Sequence, residues 1–275
     1  TAVPNSGYYF AQWSDAAVVN PRTDSNVTAN ISVAASFAAK GVTSTGISAV
    51  SPTSSVYGQS VDVTAVVTGG INPSGTVTIT ATPDLGGTSQ QCSSTLSAGT
   101  VTCTLPPLGE PGAYSLVAAY AGDANDAASS SATVAHQATT IPTAVTIVSH
   151  TPDPSLVGSA VTVNVDVAAL SPPPAVGVPS GSVTVSASGT ESCTIANLIA
   201  SVSTSTGSCA LTLTTAGART LTVSYAGDTH FAANSNTAAH TVNLGATTTA
   251  ISGVAPGSSS TFGQTITVNA AVSGG

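Results

Sequence analysis

Lysine and arginine together number only three in 275 residues, against eleven aspartates and glutamates, for a formal net charge of −8. A nucleic-acid-binding surface needs a basic footprint, which this chain lacks. An anionic membrane surface would repel it for the same reason. Charged residues make up 5% of the chain, far below the usual quarter, while 41% are apolar. Disorder combines low hydrophobicity with high charge, so this chain is expected to fold. Ser, Thr, Asn and the backbone must then supply its solubility. No run of about 18 apolar residues is present to span a bilayer as a helix, and no secretory signal opens the chain. Methionine is missing altogether, so Thr1 does not read as a native translation start.

Catalytic signatures are missing as well. There is no Gly-x-Ser-x-Gly elbow, no His-Glu-x-x-His and no phosphate-binding glycine loop. The two glutamates, Glu110 and Glu191, form no repeated carboxylate pair of the kind used in glycoside hydrolysis. The four histidines are His136, His150, His230 and His240, of which the first and last occupy similar places. All are expected to face solvent at strand ends or linkers. Aromatics amount to 4%, too few for an exposed ligand-binding cluster. The chain therefore reads as non-catalytic, with no cofactor.

What the sequence does contain is a repeat. "VYGQSVDVTAVV" from Val56, "LVGSAVTVNVDV" from Leu156 and "TFGQTITVNAAV" from Thr261 align. "PSGTVTI" from Pro73 matches "PSGSVTV" from Pro179, and "GAYSLVAAYAGD" from Gly112 matches "GARTLTVSYAGD" from Gly217. Apolar residues alternate at Val61, Val63, Ala65 and Val67, at Val161, Val163, Val165 and Val167, and at Ile266, Val268, Ala270 and Val272. A period of two marks strands with one buried face, and Gly and Pro clusters separate them. About seven short strands per copy predict a two-sheet antiparallel sandwich.

The first two copies each carry a local cysteine pair, Cys92/Cys103 and Cys193/Cys209. Paired, even cysteines suit an oxidising compartment. Cys92 and Cys103 are symmetric about "LSAGT", a turn that predicts a disulfide within a hairpin. Metal ligation is the rival reading, but it wants tighter spacings such as Cys-x-x-Cys.

Tyr120, Gly122 and Asp123 recur as Tyr225, Gly227 and Asp228. The tyrosines are in phase with the buried face and are expected to bond back to the backbone through their hydroxyls. Gly-Asp is turn chemistry, so the tetrapeptide reads as a structural corner. Its rival is a calcium site on Asp123, Asn125 and Asp126, a set that the second copy does not reproduce. Asn26-Val-Thr and Asn30-Ile-Ser fit the N-glycosylation pattern, which arises often by chance.

The order of apolar strand, Pro-Ser-Gly strand, local cysteine pair and Tyr-x-Gly-Asp corner resembles the bacterial immunoglobulin-like repeat family. Residues 1–41, with "PNSGYYFAQWSD" and "NVTANISVAASFA", resemble the latter part of a Listeria–Bacteroides (internalin B-repeat) surface repeat, in which Tyr9, Phe10 and Trp13 would form a small core. The expected organisation is a partial surface repeat at 1–41, sandwiches at 42–138 and 139–244, and the start of a third at 245–275. The predicted fold class is all-β: tandem immunoglobulin-like antiparallel β-sandwiches in an extended rod, with partial domains at both ends. The resemblance implies a stalk or spacer segment of a longer secreted or cell-surface, adhesin-like protein. Its expected partners are neighbouring domains of the same chain, with no nucleic acid and no membrane insertion. Self-assembly of identical chains into an extracellular filament is the alternative, and binding of a glycan or host protein a weaker one.

Overall fold

The computed structural model describes residues 1–170 and 177–274, which form strands and loops with no helix. Its contacts divide the chain into two units, the first Thr1–Thr140 and the second opening at Ile141.

The first unit opens with a hairpin of β1 (Tyr8–Trp13) and β2 (Ala35–Ala39). Phe10 packs on Trp13 at 5.3 Å between ring centroids and edge-on to Phe37 at 6.3 Å. The Trp13 indole N–H donates to the Val19 carbonyl at 3.0 Å. A sandwich follows, built from β3 (Thr43–Ser51), β4 (Ser54–Val56), β5 (Val61–Gly69), β6 (Thr76–Pro83), β7 (Gln90–Thr95), β8 (Thr100–Leu105), β9 (Gly112–Tyr120), β10 (Ser129–Ser130) and β11 (Val134–Thr139). One sheet runs β3-β5-β8 and the other β4-β11-β9-β6-β7, with β10 on β9. The pairing is antiparallel except for β4 on β11, which is parallel.

The second unit repeats this plan. Its strands are β12 (Thr143–Thr151), β13 (Ser155–Leu156), β14 (Ala160–Ala169), β15 (Val183–Ala187), β16 (Ser192–Ile195), β17 (Ile199–Ala200), β18 (Thr204–Thr212), β19 (Gly217–Tyr225) and β20 (Asn234–Asn243). The sheets run β12-β14-β18-β17 and β13-β20-β19-β15-β16, again with one parallel pair, β13 on β20. A last hairpin joins β21 (Thr247–Ala255) to β22 (Thr267–Gly274).

The alternating valines explain why these strands face as they do. Val61, Val63 and Ala65 are completely buried, as are Val161, Val163 and Val167. They meet Ile79, Leu116 and Ala118 of the opposite sheet in the first sandwich. A shift of one residue would turn each of these faces to water, so the pattern fixes register. A bulge recurs at the same place in each copy, between Ile47 and Ala49, Ile147 and Ser149, and Ile251 and Gly253. Each inserts one unpaired residue that re-aims the end of the strand.

Candidate functional site

The repeated corner is a clamp. Asp123 follows β9, and its Oδ1 accepts the backbone N–H groups of Asn125 and Asp126, both at 2.8 Å. Its Oδ2 accepts the Ser74 backbone N–H at 2.9 Å and the Ser74 hydroxyl at 2.7 Å. Asp228 copies every bond, taking His230 and Phe231 amides on Oδ1 and both donors of Ser180 on Oδ2. The Pro-Ser-Gly and Tyr-Ala-Gly-Asp motifs are thus two halves of one device, which ties the approach to β6 or β15 to the exit from β9 or β19. Burial pushes the Asp123 carboxyl up, but the Ser74 hydroxyl and the surrounding amides outweigh it and bring its pKa to about 2. Gly122 and Gly227 adopt left-handed φ of 79° and 81°, and a Cβ there would meet backbone atoms at 2.8 Å.

Of the calcium candidates, Asp123 turns both carboxylate oxygens toward protein donors, the setting of an anion acceptor. The Asn125 carbonyl accepts the Gly41 N–H. Asp126 is wholly buried, and its Oδ1 accepts the Ile71 N–H. The geometry brings these residues to one corner without forming a cage of free oxygens. Phe231 takes the place of Asp126 in the second copy.

Tyr120 and Tyr225 are buried, 1% and 2% exposed, as their phase requires. Their hydroxyls differ from expectation. They lie beside Asp123 and Asp228 without a hydrogen bond of good geometry, and burial first, then that neighbouring charge, raises their pKa. The tyrosine that bonds back to the backbone is Tyr114, at the opposite end of β9. Its hydroxyl donates to the Glu110 carbonyl at 2.8 Å and accepts the Glu110 N–H at 3.1 Å. In the second copy Arg219 stands there, reaching the Thr215 carbonyl at 3.4 Å and the Glu191 carboxylate at 2.7 Å.

Cys92 joins Cys103 and Cys193 joins Cys209, with Cα separations of 5.9 and 6.0 Å. These are not bridges within a hairpin. Cys92 lies on β7, paired with β6, while Cys103 lies on β8, paired with β5. The turn at Ala98-Gly99 is tight, but its legs part at once. Leu96 donates to Gly75 on one side, and Val101 pairs with Ala65 on the other. Both disulfides therefore join the two sheets at one edge of the sandwich.

Two of the histidines expected to face solvent are instead buried. His136 and His240 are only 3% and 2% exposed. Nε2 of each lies 2.9 Å from a buried serine hydroxyl, Ser55 for His136 and Ser155 for His240. The parallel pairing of β4 with β11 and of β13 with β20 places each serine against its histidine. Burial lowers the His136 pKa. The sequence carried a signal, since both histidines follow alanine at one position of the repeat and both serines precede the Gly-containing turn.

No curated protein sequence matches the chain. Solved structures resemble it distantly. A red sea bream transglutaminase is 13% identical with a TM-score of 0.38, over 72% of this chain and 31% of that one. A Salmonella alpha-2-macroglobulin mutant is 14% identical with a TM-score of 0.30, over 75% of this chain and 17% of that one. The titin A168–169 structure is 11% identical with a TM-score of 0.27, over 69% and 93%. The chain thus spans less than a third of the first two proteins. Residues 1–41 match the model for the divergent InlB B-repeat domain. Residues 47–139 and 148–244, more than half of the chain, each match the model for the bacterial Ig-like domain (group 3), and the chain belongs to that family.

Proposed function

We propose that this chain is a non-catalytic structural spacer of a bacterial secreted or cell-surface protein, in which successive sandwiches set the distance between other parts. The observation that carries this reading is the connectors. Lys40-Gly41-Val42 separates β2 from β3, Thr140-Ile141-Pro142 separates β11 from β12, and Leu244-Gly245-Ala246 separates β20 from β21. Each is three residues long, and the middle residue of the first two is pinned. Gly41 donates to the Asn125 carbonyl at 2.8 Å and accepts from Ala127 at 2.9 Å. Ile141 donates to His230 at 2.7 Å and accepts from Ala232 at 2.8 Å. A connector this short, docked at its centre on the domain that follows, leaves few free residues between successive domains. Pro142 fixes one more backbone angle.

Surface placement rests on the family matches and on disulfides, which persist in oxidising compartments. Electron microscopy of the purified chain, paired with its mass in solution, tests the reading. Isolated thin rods with one chain's mass are expected. Regular filaments with a fixed subunit spacing would replace the spacer reading with one of self-assembly.

A further inference from the structure

The second sandwich contains a cluster that the first lacks. His150 lies near the end of β12, Asp153 in the corner between β12 and β13, and His240 in β20. The two Nδ1 atoms, of His150 and His240, are 3.2 Å apart. Asp153 Oδ1 is 3.2 Å from His240 Nδ1, and its Oδ2 is 3.7 Å from His150 Nδ1. The imidazole rings meet edge to face, with an interplanar angle of 75°, and do not stack. We propose that His150, Asp153 and His240 form a binding site for a divalent transition metal such as Zn2+, which clips the two sheets of this sandwich together.

The spacing carries the argument. Zn2+ binds His nitrogen and carboxylate oxygen at about 2.0–2.2 Å, so neighbouring ligand atoms of a tetrahedral site lie about 3.3 Å apart. The two imidazole nitrogens have that separation, as do His240 Nδ1 and Asp153 Oδ1, while His150 faces the other carboxylate oxygen at 3.7 Å; one donor atom from each residue lies within 4.8 Å of the other two. A hydrogen bond between the imidazoles accounts for one edge alone. It does not place the Asp153 carboxylate, which turns one oxygen toward each ring. Two nitrogens and one oxygen select a borderline metal over Ca2+ or Mg2+, which take oxygen. A water would complete the tetrahedron.

Support behind the ligands is already in place. His240 Nε2 lies 2.9 Å from the buried Ser155 hydroxyl, and in the tautomer that carries its proton on Nε2 the Nδ1 lone pair is left for the cluster. Ligating histidines are held in this way by a partner on the other ring nitrogen. The Thr241 backbone N–H, at 3.3 Å, orients Asp153 Oδ1. The first sandwich supplies a comparison within the same chain. It keeps the buried pair, His136 with Ser55, but has Val50 and Thr53 where the second has His150 and Asp153. The strand registers agree, with Val50 opposite Val63 and His150 opposite Val163. Two substitutions convert a structural histidine into a set of three ligands. Because β12 and β20 belong to different sheets, the metal would join them, as the disulfide does at another edge.

The test is calorimetric titration of ZnCl2 into the full chain, with disulfides intact, no added histidine tag and a non-chelating buffer. One Zn2+ per chain is expected, with a rise in melting temperature. His150→Ala and Asp153→Ala should each weaken binding by at least ~10-fold. Both leave the His240–Ser155 pair untouched, and circular dichroism would verify that they fold. Absence of both heat and thermal stabilisation at about 1 mM Zn2+ would overturn the proposal and leave a hydrogen-bonded trio. Binding of undiminished strength in both variants would overturn it equally, because the metal would then lie elsewhere. Neither result bears on the spacer reading, which the rods and filaments decide.

Discussion

Asp123 and Ser74 are 49 residues apart, yet both donors of the serine, its backbone N–H and its hydroxyl, end on one oxygen of the aspartate. Asp228 and Ser180 reproduce the pair 48 residues apart. Hydrogen bonds to a charged acceptor contribute about 1.5–3 kcal/mol each, and removal of the acceptor leaves several donors unmet at once. Asp123→Ala should therefore destabilise the first sandwich by about 2–4 kcal/mol. Asp228→Ala should do the same to the second. Chemical denaturation of each variant, followed by protection of amide hydrogens in each sandwich, checks this. An effect below ~0.5 kcal/mol would show that the clamp is ornamental.

The same carboxylates set the response to acid. The folded pKa of Asp123 is about 2, that of Glu191 is about 2, and that of Asp228 is also lowered, against roughly 4 for unfolded carboxylates. For Glu191 the leading cause is the Thr214 hydroxyl, with the Arg219 guanidinium adding to it. A folded pKa below the unfolded one means the stabilisation is complete above about pH 4 and is lost as pH falls toward about 2. Melting temperature should hold down to about pH 4 and then drop steeply. Asp123→Asn should flatten the acid limb of the first sandwich alone.

Removal of the disulfides should be costly, because each closes a loop between sheets. The sequence separations are 11 and 16 residues. By the chain-entropy estimate each bridge contributes about 3 kcal/mol. Cys92→Ser with Cys103→Ser should lower the stability of the first sandwich by about that amount without changing the fold of the second. Paired reducing and non-reducing melts of the natural chain would show both losses together.

The strands were legible because alternation is a local property. Val61 to Val67 face inward for the reason visible in the sequence, and Tyr120 and Tyr225 are buried because they share that phase. Long-range partnership was not legible. A turn at Ala98-Gly99 implied a hairpin, but nothing in "CSSTLSAGTVTC" says that one leg pairs with β6 and the other with β5. Nor does spacing reveal that Ser55 and His136, 81 residues apart, meet across a parallel pair. The sequence alone does not bring His150 and His240 together, because their approach depends on the corner between β12 and β13. The repeat did hold a clue there, since histidine and aspartate replace Val50 and Thr53 in an otherwise matching segment.

The turn between β7 and β8 offers a change in the stabilising direction. Ala98 has φ of 51° and Gly99 has φ of 77°, and Ser97 and Thr100 bond to each other at 2.9 and 3.1 Å across them. This is a two-residue turn with both central residues left-handed, the arrangement for which Asn-Gly is the preferred pair. Alanine is strained there, because its Cβ crowds the following carbonyl at a cost of roughly 1–2 kcal/mol. Asparagine tolerates the region through local hydrogen bonding. Ser97 and Ala98 are both exposed, so the larger side chain meets open solvent. Ala98→Asn should stabilise the first sandwich by about 0.5–1 kcal/mol, whereas Gly99→Ala should destabilise it, since a Cβ there would also press the Val67 carbonyl at 3.2 Å. Opposite shifts of the denaturation midpoint at unchanged slope would establish that the turn stores strain in its first residue. Equal destabilisation by both variants would refute it.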